Sequence, residues 1–366
     1  MSFDLEVVTR LKPLADHFKD FFPSREDHYF TVDGPFQVEI DDLEEQVIAS
    51  VLDPHWLTQI SVPAAASKTD LKLAKQLAIH IAETYNGSVY DPQLDQVVWP
   101  RKTHRRFVAP TQEERIRLVG LDWYLPYVQS SPETAKLLLQ TLRRLCPEAL
   151  PTRFGTFEPL QHRMDQNGES FLSVWEEVSR VEYGDMFFWK SKSPFYGGHI
   201  SFPDQREPSK VGAKRAIHMS IDIDGRALDT EPAWCETVVK LFGELARKLR
   251  AFYGLGYVQR NVIARRTILL DGKSEGSPTL PGGWWLGLPP APTWLAWFGA
   301  GYRNALEESL NDRQSLNTPE GILLRLGDTP LDRDQLNGIF PVLPQSLFAS
   351  WDGNQFQPAP VIPELE

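Results

Sequence analysis

RAIHMSIDIDG, residues 215–225, decides the fold of the larger part of this chain, because a predicted strand here leads into the longest predicted helix. The run reads as a β-strand that ends in an Asp-Gly turn. The helix follows Thr230, which can cap it, and has Pro232 in its first turn. Its apolar face is formed by Trp234, Val238, Leu241, Leu245 and Leu249. Such a face packs against a sheet, which indicates an α+β fold.

The same run also contains DIDGRALD, which has the alternating carboxylates of a calcium loop. It lacks the third spaced ligand and the distal glutamate that an EF-hand requires. The simpler interpretation, a strand that ends in a turn, is the one we adopt. We therefore predict no metal at this position.

Strands and helices also alternate in the rest of the chain, and we predict two α+β units. Residues 1–105 form an acidic N-terminal domain with the order β-α-β-α-β-β, beginning with a hairpin in HYFTVDGPFQVEI, residues 28–40. Residues 106–366 form a larger C-terminal domain with a tryptophan-rich segment and an acidic tail. Each unit is predicted to be sandwich-like, with a mainly antiparallel sheet and helices packed on one face.

The tryptophan-rich segment, GSPTLPGGWWLGLPPAPTWLAWFGAGY at residues 276–302, contains no charged residue. Its prolines and glycines exclude an apolar helix of 18 residues, so we predict no membrane span. PTWLAWF reads as a strand buried on both faces. GGWWLGLPP reads as a loop, in which Trp284 and Trp285 either pack onto the domain or project as anchors for a partner.

Charge is distributed unevenly along the chain, whose formal net charge is −11. The net charge is −9 for residues 1–60, −5 for residues 311–366 and about +3 for the residues between them. Direct binding to nucleic acid is disfavoured, because phosphate binding requires a basic surface. An acidic surface instead attracts a basic protein partner. The acidic candidates for such contacts are Asp41, Asp42, Glu44 and Glu45. A solvated acidic surface that keeps the protein soluble is the alternative.

The cellular compartment is predicted from the N-terminus and the cysteines. The start of the chain is acidic from Asp4 onward and lacks the basic region and apolar run of a secretory signal. The two cysteines, Cys146 and Cys235, are too few for a disulfide framework. We therefore expect a cytoplasmic protein.

Familiar catalytic motifs are missing from the sequence. It contains no GxSxG, HExxH, GxxxxGK[ST] or GxGxxG, and no cofactor or metal is predicted. An enzyme would need an active site assembled from dispersed residues, of hydrolase type. Its base, acid and anion-binding groups would come from Arg153, Glu158, His162 and His199. Binding of carbohydrate through the tryptophans is a further alternative.

RFGTFEPLQH, residues 153–162, is the most distinctive polar stretch. Arg153 and Glu158 flank Gly155 in an otherwise aromatic run, and Gly155 can mark a bulge or a close backbone approach. A buried ion pair or a braced turn explains these residues structurally. A partner-binding surface explains them functionally, and both interpretations stay open.

The order of these features resembles bacterial immunity proteins of polymorphic toxin systems, in particular the family of immunity protein 52. The resemblance rests on RFGTFEP, with Arg153, Gly155 and Glu158, and on Trp294 and Trp297 in PTWLAWFGAGY. It implies a non-catalytic cytoplasmic protein that binds and neutralises a cognate toxin. Members of that family pair with restriction-endonuclease-like toxins delivered by type VI secretion, so the implied partner is a basic nuclease domain. Arg153, Glu158, Trp284 and Trp285 then join the acidic candidates as partner-binding residues.

Overall fold

The computed structural model of this protein shows two compact units, residues 1–112 and residues 113–366. The predicted boundary after residue 105 falls between residues 101 and 113, which lie outside the described part of the chain. The residues that the structure describes are 3–14, 30–38, 40, 43, 45–63, 65–94, 96–100, 114–157, 160–182, 184–207, 212–264, 268–279, 283–310, 315–353 and 355–364.

The first unit contains an antiparallel five-stranded sheet in the order β2-β3-β1-β4-β5. Its elements are β1 (Phe3–Thr9), β2 (Thr31–Gln37), α1 (Glu45–Ser50), β3 (Trp56–Val62), α2 (Lys68–Thr84), β4 (Gly87–Asp91) and β5 (Gln96–Trp99).

Helix α2 shows why this part of the sequence folds as it does. The Ser67 hydroxyl accepts from the amide of Asp70 and the Asp70 carboxylate accepts from the amide of Ser67, which closes a capping box. Its apolar side packs with Leu5 and Val7 of β1. Helix α1 packs instead with Val8 and its neighbours on the other face of the sheet. The α+β class is confirmed, although in this unit the helices cover both faces rather than one.

Two strand predictions for this unit differ from the structure. HYFTVDGPFQVEI is not a hairpin, because its described residues form the single strand β2, which pairs with β3 on both sides of an irregularity between Asp33 and Phe36. Gly34 adopts a φ of +108° there, and the chain passes through it without reversing. Strand β1 was not predicted, yet it lies at the centre of the sheet.

The second unit is built on a twelve-stranded sheet. Its strands are β6 (Glu114–Pro126), β7 (Arg153–Gly155), β8 (His162–Arg163), β9 (Asp185–Lys190), β10 (Phe195–Phe202), β11 (Lys214–Asp224), β12 (Tyr253–Ala264), β13 (Ile268–Leu269), β14 (Gly283–Trp285), β15 (Leu295–Gly299), β16 (Ser315–Thr318) and β17 (Gly321–Arg325). Strands β18 (Ser350–Trp351) and β19 (Phe356–Gln357) form a separate pair. The helices are α3 (Pro132–Leu145), α4 (Glu169–Ser179), α5 (Gly225–Thr230), α6 (Pro232–Lys248), α7 (Arg303–Leu310) and α8 (Arg333–Leu336).

The strand order of the main path is β16-β17-β15-β12-β6-β11-β10-β9-β7-β8, with β13 on β12 and β14 on β11. All its described pairings are antiparallel. The opening stretch of the sequence is β11, and it continues into α5 rather than into a turn, because the Asp224 carboxylate accepts from the amide of Arg226 and caps that helix. In this order, β11 lies near the middle of the sheet, between β6 and β10.

One face of this sheet, the helical face, is apolar and carries α4 and α6. The indole nitrogen of Trp123 in β6 donates to the carbonyl of Phe242 in α6, 3.2 Å away. Phe187 of β9 packs against Phe171 and Trp175 of α4. Helix α3 packs between these two helices. In this unit, the predicted packing of helices on a face of a mainly antiparallel sheet is confirmed by α3, α4 and α6.

The tryptophan-rich segment folds inward. The predicted strand in PTWLAWF is confirmed as β15, and every residue of it is buried. Trp285 has no exposed surface and donates from Nε1 to the hydroxyl of Tyr302, 3.0 Å away. Part of the predicted loop is the short strand β14, which pairs with β11. No helix in the described part of the chain has the length and apolar character needed to cross a membrane.

Candidate functional site

Polar side chains occupy the middle of the sheet face opposite the helices. In β11, His218, Ser220 and Asp222 alternate with the apolar residues that point to the helical face. The register places Asp122 of β6 beside Ser220 on one side, and His199 of β10 beside Ser220 on the other. We call this surface the polar face and define it by Asp122, His199, Ser201, His218, Ser220, Asp222 and Tyr257.

Asp122 and His218 form the buried centre of the polar face. Oδ1 of Asp122 accepts a hydrogen bond from Nε2 of His218 at 2.6 Å, and the two residues are 1% and 8% exposed. A hydrogen bond of this length to a carboxylate is strong, and burial strengthens it further. The other carboxylate oxygen of Asp122, Oδ2, is buried and accepts no hydrogen bond of ordinary length from a described residue, although the Tyr257 hydroxyl interacts with this carboxylate.

His199 links this buried pair to the surface. Its ring stands edge-on to the ring of His218, with 5.4 Å between the centroids, and Phe188 lies on its other side. Burial and, to a smaller extent, the neighbouring charge of His218 lower the pKa of His199 to about 4, against the opposing effect of Asp122. The ring is therefore neutral at pH 7.

Asp222 and Tyr257 complete the polar face. Burial and, to a smaller extent, the charge of Asp122 together raise the pKa of Asp222 to about 7. Burial likewise raises the pKa of Tyr257 well above its usual value, with contributions from both carboxylates. The Tyr257 ring lies over Gly120, where a Cβ atom would sit 2.5 Å from Cζ, so glycine makes room for it. The described groups thus hold two carboxylates close together without a full positive counter-charge.

Part of the polar face is open to solvent. Strands β9 and β10 present partly exposed side chains there, whereas Asp122, His218 and Ser220 lie below the surface. We call this region the open strip. Its members are Met186, Phe188, Lys190, His199, Ser201 and Asp222.

An acidic cleft of about 470 Å³ continues the open strip at Met186 and Ser201. Asp185, Asp204 and Glu207 line it, and no basic residue is among the described residues of its wall. The Trp284 indole closes one side of the cleft. The cleft therefore combines negative charge with an aromatic and an aliphatic surface.

Trp284 is held in this wall by two contacts. Its Nε1 donates to Oε2 of Glu207 at 2.6 Å, and the guanidinium of Arg215 lies 5.5 Å from the ring centroid. The side chain is 7% exposed, so it shapes the cleft without projecting from it. The interpretation of Trp284 and Trp285 as projecting anchors is therefore wrong, because tertiary packing and these hydrogen bonds hold both indoles in the domain.

The dispersed enzymatic set does not come together. His162 pairs with Phe154 and stacks on its ring, on the helical side of the sheet. Arg153 precedes Phe154 in β7 and so points to the polar face, as His199 does. Glu158 lies outside the described residues. His162 is thus on the opposite side of the sheet from Arg153 and His199.

Gly155 is a place of close approach, as one of its two interpretations predicted. A Cβ atom there would lie 2.0 Å from Oε1 of Gln161. That oxygen accepts from the amide of Thr156 at 3.0 Å, and the Gln161 amide group donates to the carbonyl of Phe157. In the described part of this stretch, residues 153–157, strand β7 is therefore followed by a segment that a glutamine side chain braces, and Arg153 is buried beside Lys190 of β9.

The acidic candidates of the first unit stay predictions. Asp41, Asp42 and Glu44 lie outside the described residues, and Glu45 is described only as the first residue of α1. In the described part of the chain, no three histidine, cysteine or acidic side chains are arranged to hold a metal ion. Both cysteines are buried, and burial raises the pKa of Cys146 to about 12.

Comparison with known proteins gives little similarity. No family model matches the chain, and no curated protein matches it. Among solved structures, it is similar to the T6SS protein PA0821 of Pseudomonas aeruginosa, with 14% sequence identity and a TM-score of 0.37, over 67% of this chain and 74% of that one. A similarity this low carries no conclusion about function. The resemblance to immunity protein 52 is not supported by a match to a family model.

Proposed function

We propose that this protein is a cytoplasmic immunity protein that binds and neutralises a cognate toxin, a basic nuclease domain delivered by type VI secretion. The observation that carries the proposal is the acidic cleft together with the open strip. Three carboxylates line the cleft, of which Asp204 is paired with Arg206, and the adjoining Phe188 and Met186 offer apolar surface. A nuclease groove is basic because it holds phosphates, so the two surfaces are complementary in charge.

The contacts in the cleft fit a binding role. Apolar and aromatic groups supply most of the binding free energy at protein interfaces, and charged groups set register and association rate. Met186 is 38% exposed at the mouth of the cleft, and Trp284 provides a rigid wall. Asp204 is paired with Arg206, with 3.1 Å between Oδ2 and Nη2, so the cleft keeps its shape before a partner arrives.

Arg153 and Glu158, which the resemblance assigns to partner binding, stay part of this proposal in a changed form. Arg153 is 8% exposed, so it supports the surface from below rather than contacting a partner directly. Among the described residues of the RFGTFEP stretch, Phe157 is 45% exposed and is accessible to a partner. The acidic residues Asp41, Asp42, Glu44 and Glu45 would add long-range attraction for a basic toxin.

The test is co-expression with the toxin encoded by the neighbouring gene, followed by titration of the purified proteins. We expect the protein to restore growth and to bind the toxin with a Kd in the nanomolar range, as obligate inhibitors do. Absence of both rescue and complex would exclude the proposed function.

A matched pair of variants tests the cleft itself. Asp185→Lys reverses one charge in the cleft, and Glu307→Lys makes the same change at an exposed position of α7. We expect Asp185→Lys to weaken toxin binding at least tenfold and Glu307→Lys to leave it within twofold of the wild type. Equal affinities for the two variants would place the interface elsewhere.

A further inference from the structure

We infer that the polar face takes an arginine side chain of the partner, whose guanidinium pairs with Asp222 in front of the buried Asp122. This inference rests on the proposed function and deepens it, because it names the group that the open strip recognises. Asp222 is partly exposed, whereas Asp122 lies on the same face of the neighbouring strand β6, opposite Ser220, and is 1% exposed.

The first step is that the two carboxylates have few described donors beside them. Oδ1 of Asp122 accepts from His218, and the Asp122 carboxylate also interacts with the Tyr257 hydroxyl. Asp222 forms no ion pair with a described residue, and the charge of Asp122 acts on it to raise its pKa. Buried carboxylates normally have a donor or a cation beside them. A cationic group at Asp222 would supply what the site lacks.

The second step is the shape of the floor around Asp222. The directly opposed residues on its two neighbouring strands are Gly197 in β10 and Gly120 in β6, so neither side fills the space with a side chain. The Tyr257 ring occupies the space above Gly120, and the backbone of β9 lies close to Gly197, where a Cβ atom would sit 2.0 Å from the carbonyl oxygen of Trp189. Because Gly197 carries no side chain, a planar group can approach Asp222 from the side of β10.

The third step is the choice of arginine. The aromatic rings of Phe188 and His199 adjoin this approach, and a guanidinium stacks on such rings while it hydrogen-bonds at its edge. A guanidinium is also more weakly hydrated than an ammonium group, so its transfer to a partly buried site costs less. Both properties favour arginine over lysine.

The fourth step connects this position to the acidic cleft. Ser201 lines the cleft and pairs with His218, which lies four residues before Asp222 in β11. At about 3.3 Å per residue, the two positions are roughly 13 Å apart along the strand. A partner segment of about four extended residues would reach from the cleft to Asp222. One basic segment of the toxin can therefore contact both.

Protonation gives this inference a specific signature. The titratable and charged groups that face Asp222 from the surrounding strands are Asp122, Arg153, Lys190, His199, His218 and Tyr257. The pKa of Asp222 in the free protein is about 7, so its carboxyl group carries a proton in about half of the molecules at that pH. A bound guanidinium requires the carboxylate, so binding releases that proton and becomes tighter as the pH rises through 7.

The experiment is calorimetric titration of the wild-type protein with the toxin at pH 7 in buffers of different ionisation enthalpy. We expect release of about half a proton per complex, and about tenfold weaker binding at pH 6 than at pH 8. Asp222→Asn should abolish this release and weaken binding about 10- to 100-fold. The control Asp328→Asn changes a carboxylate that is 97% exposed and should leave both quantities unchanged.

The outcomes separate the two proposals. A tight complex that releases no proton, or one that Asp222→Asn leaves as tight as the wild type, overturns the arginine site while the immunity function stands. The proton count in the wild type needs no variant, so a folding defect of Asp222→Asn cannot obscure it. Absence of any complex overturns both the function and the site.

Discussion

The helical face and the polar face of the central sheet are formed by alternate residues of the same strands, yet they differ in what holds them together. On the helical face, Trp123 and Phe187 pack against helices, and shape complementarity supplies the stability. On the polar face, Asp122, His218 and Asp222 depend on hydrogen bonds and on charge. Packing thus holds the helical face together, whereas hydrogen bonds and charge hold the residues of the polar face.

Cavity formation on the helical face gives the largest expected effect. Trp123→Ala removes a fully buried indole and its hydrogen bond to Phe242, and we expect a loss of about 3–5 kcal/mol in the free energy of unfolding. Phe188→Ala removes a partly exposed ring from the open strip, for which we expect about 1 kcal/mol. Urea denaturation measures both. Equal losses would show that the two faces contribute equally to the core.

The next largest effect on stability is expected when the buried pair of Asp122 and His218 on the polar face is broken. Asp122→Ala leaves the His218 ring without its acceptor, and we expect a loss of about 1–3 kcal/mol in the free energy of unfolding. The control Ser201→Ala lies on the same face beside His218, and we expect it to change stability by less than about 0.5 kcal/mol. A neutral Asp122→Ala would mean that the pair adds no net stability.

The sequence allowed the helical face to be predicted but not the polar face. Periodic apolar residues identify α6, where Val238, Leu241 and Leu245 are buried as predicted. The polar face depends on strand register, which brings Asp122 to His218 across 96 residues of chain. No carboxylate lies three or four residues from His199. Asp222 lies four residues after His218, but in a strand that spacing separates the two by about 13 Å, so local spacing gave no sign of the pair that His218 forms with Asp122.

One local feature of the sequence could have indicated the polar cluster. In RAIHMSIDIDG the polar residues His218, Ser220 and Asp222 all have the same parity, and the apolar residues have the other. A strand with one apolar and one polar face at the centre of a large sheet indicates a buried polar cluster. The open strip and the cleft could not have been predicted, because they depend on side chains from β9, β10 and β14 that meet only in three dimensions.

The pH dependence of folding provides a subtler comparison of two residues on the polar face. Folding raises the pKa of Asp222 from 3.8 to about 7 and lowers that of His199 from 6.5 to about 4. Between pH 4 and 6.5, the unfolded chain carries the proton on His199 and the folded chain carries it on Asp222. Their contributions to the pH dependence therefore cancel in the wild type.

Each variant should expose the contribution of the other residue. In Asp222→Asn, only His199 contributes, and the unfolded chain binds its proton more readily than the folded chain does. The free energy of unfolding, relative to that of the wild type, should therefore rise from pH 4 to 6.5. In His199→Gln, only Asp222 contributes, and the folded chain binds its proton more readily than the unfolded chain does. The free energy of unfolding, relative to that of the wild type, should therefore fall as the pH rises from 4 to 7. Denaturation at pH 4.5 and 6.5 measures both. Slopes of the same sign would contradict the assigned shifts.

The smallest expected effect concerns the acidic residues Asp41, Asp42, Glu44 and Glu45. Reversing all four charges should slow association with a basic toxin several-fold at low ionic strength and much less at 0.15 M salt, because screening shortens the range of the attraction. Stopped-flow or surface-based kinetics measure the association rate. A rate that does not change at low salt would show that these residues are only a solvated helix start.

The central claim is that a toxin covers the polar face along the open strip, and hydroxyl-radical footprinting of the complex tests it most directly. Met186, Phe188 and His199 are reactive side chains in that strip, and Trp351, 58% exposed, is a reference outside it. We predict that oxidation of Met186 falls at least fivefold in the complex while that of Trp351 does not change. A complex that forms and leaves Met186, Phe188 and His199 as reactive as in the free protein would contradict the account.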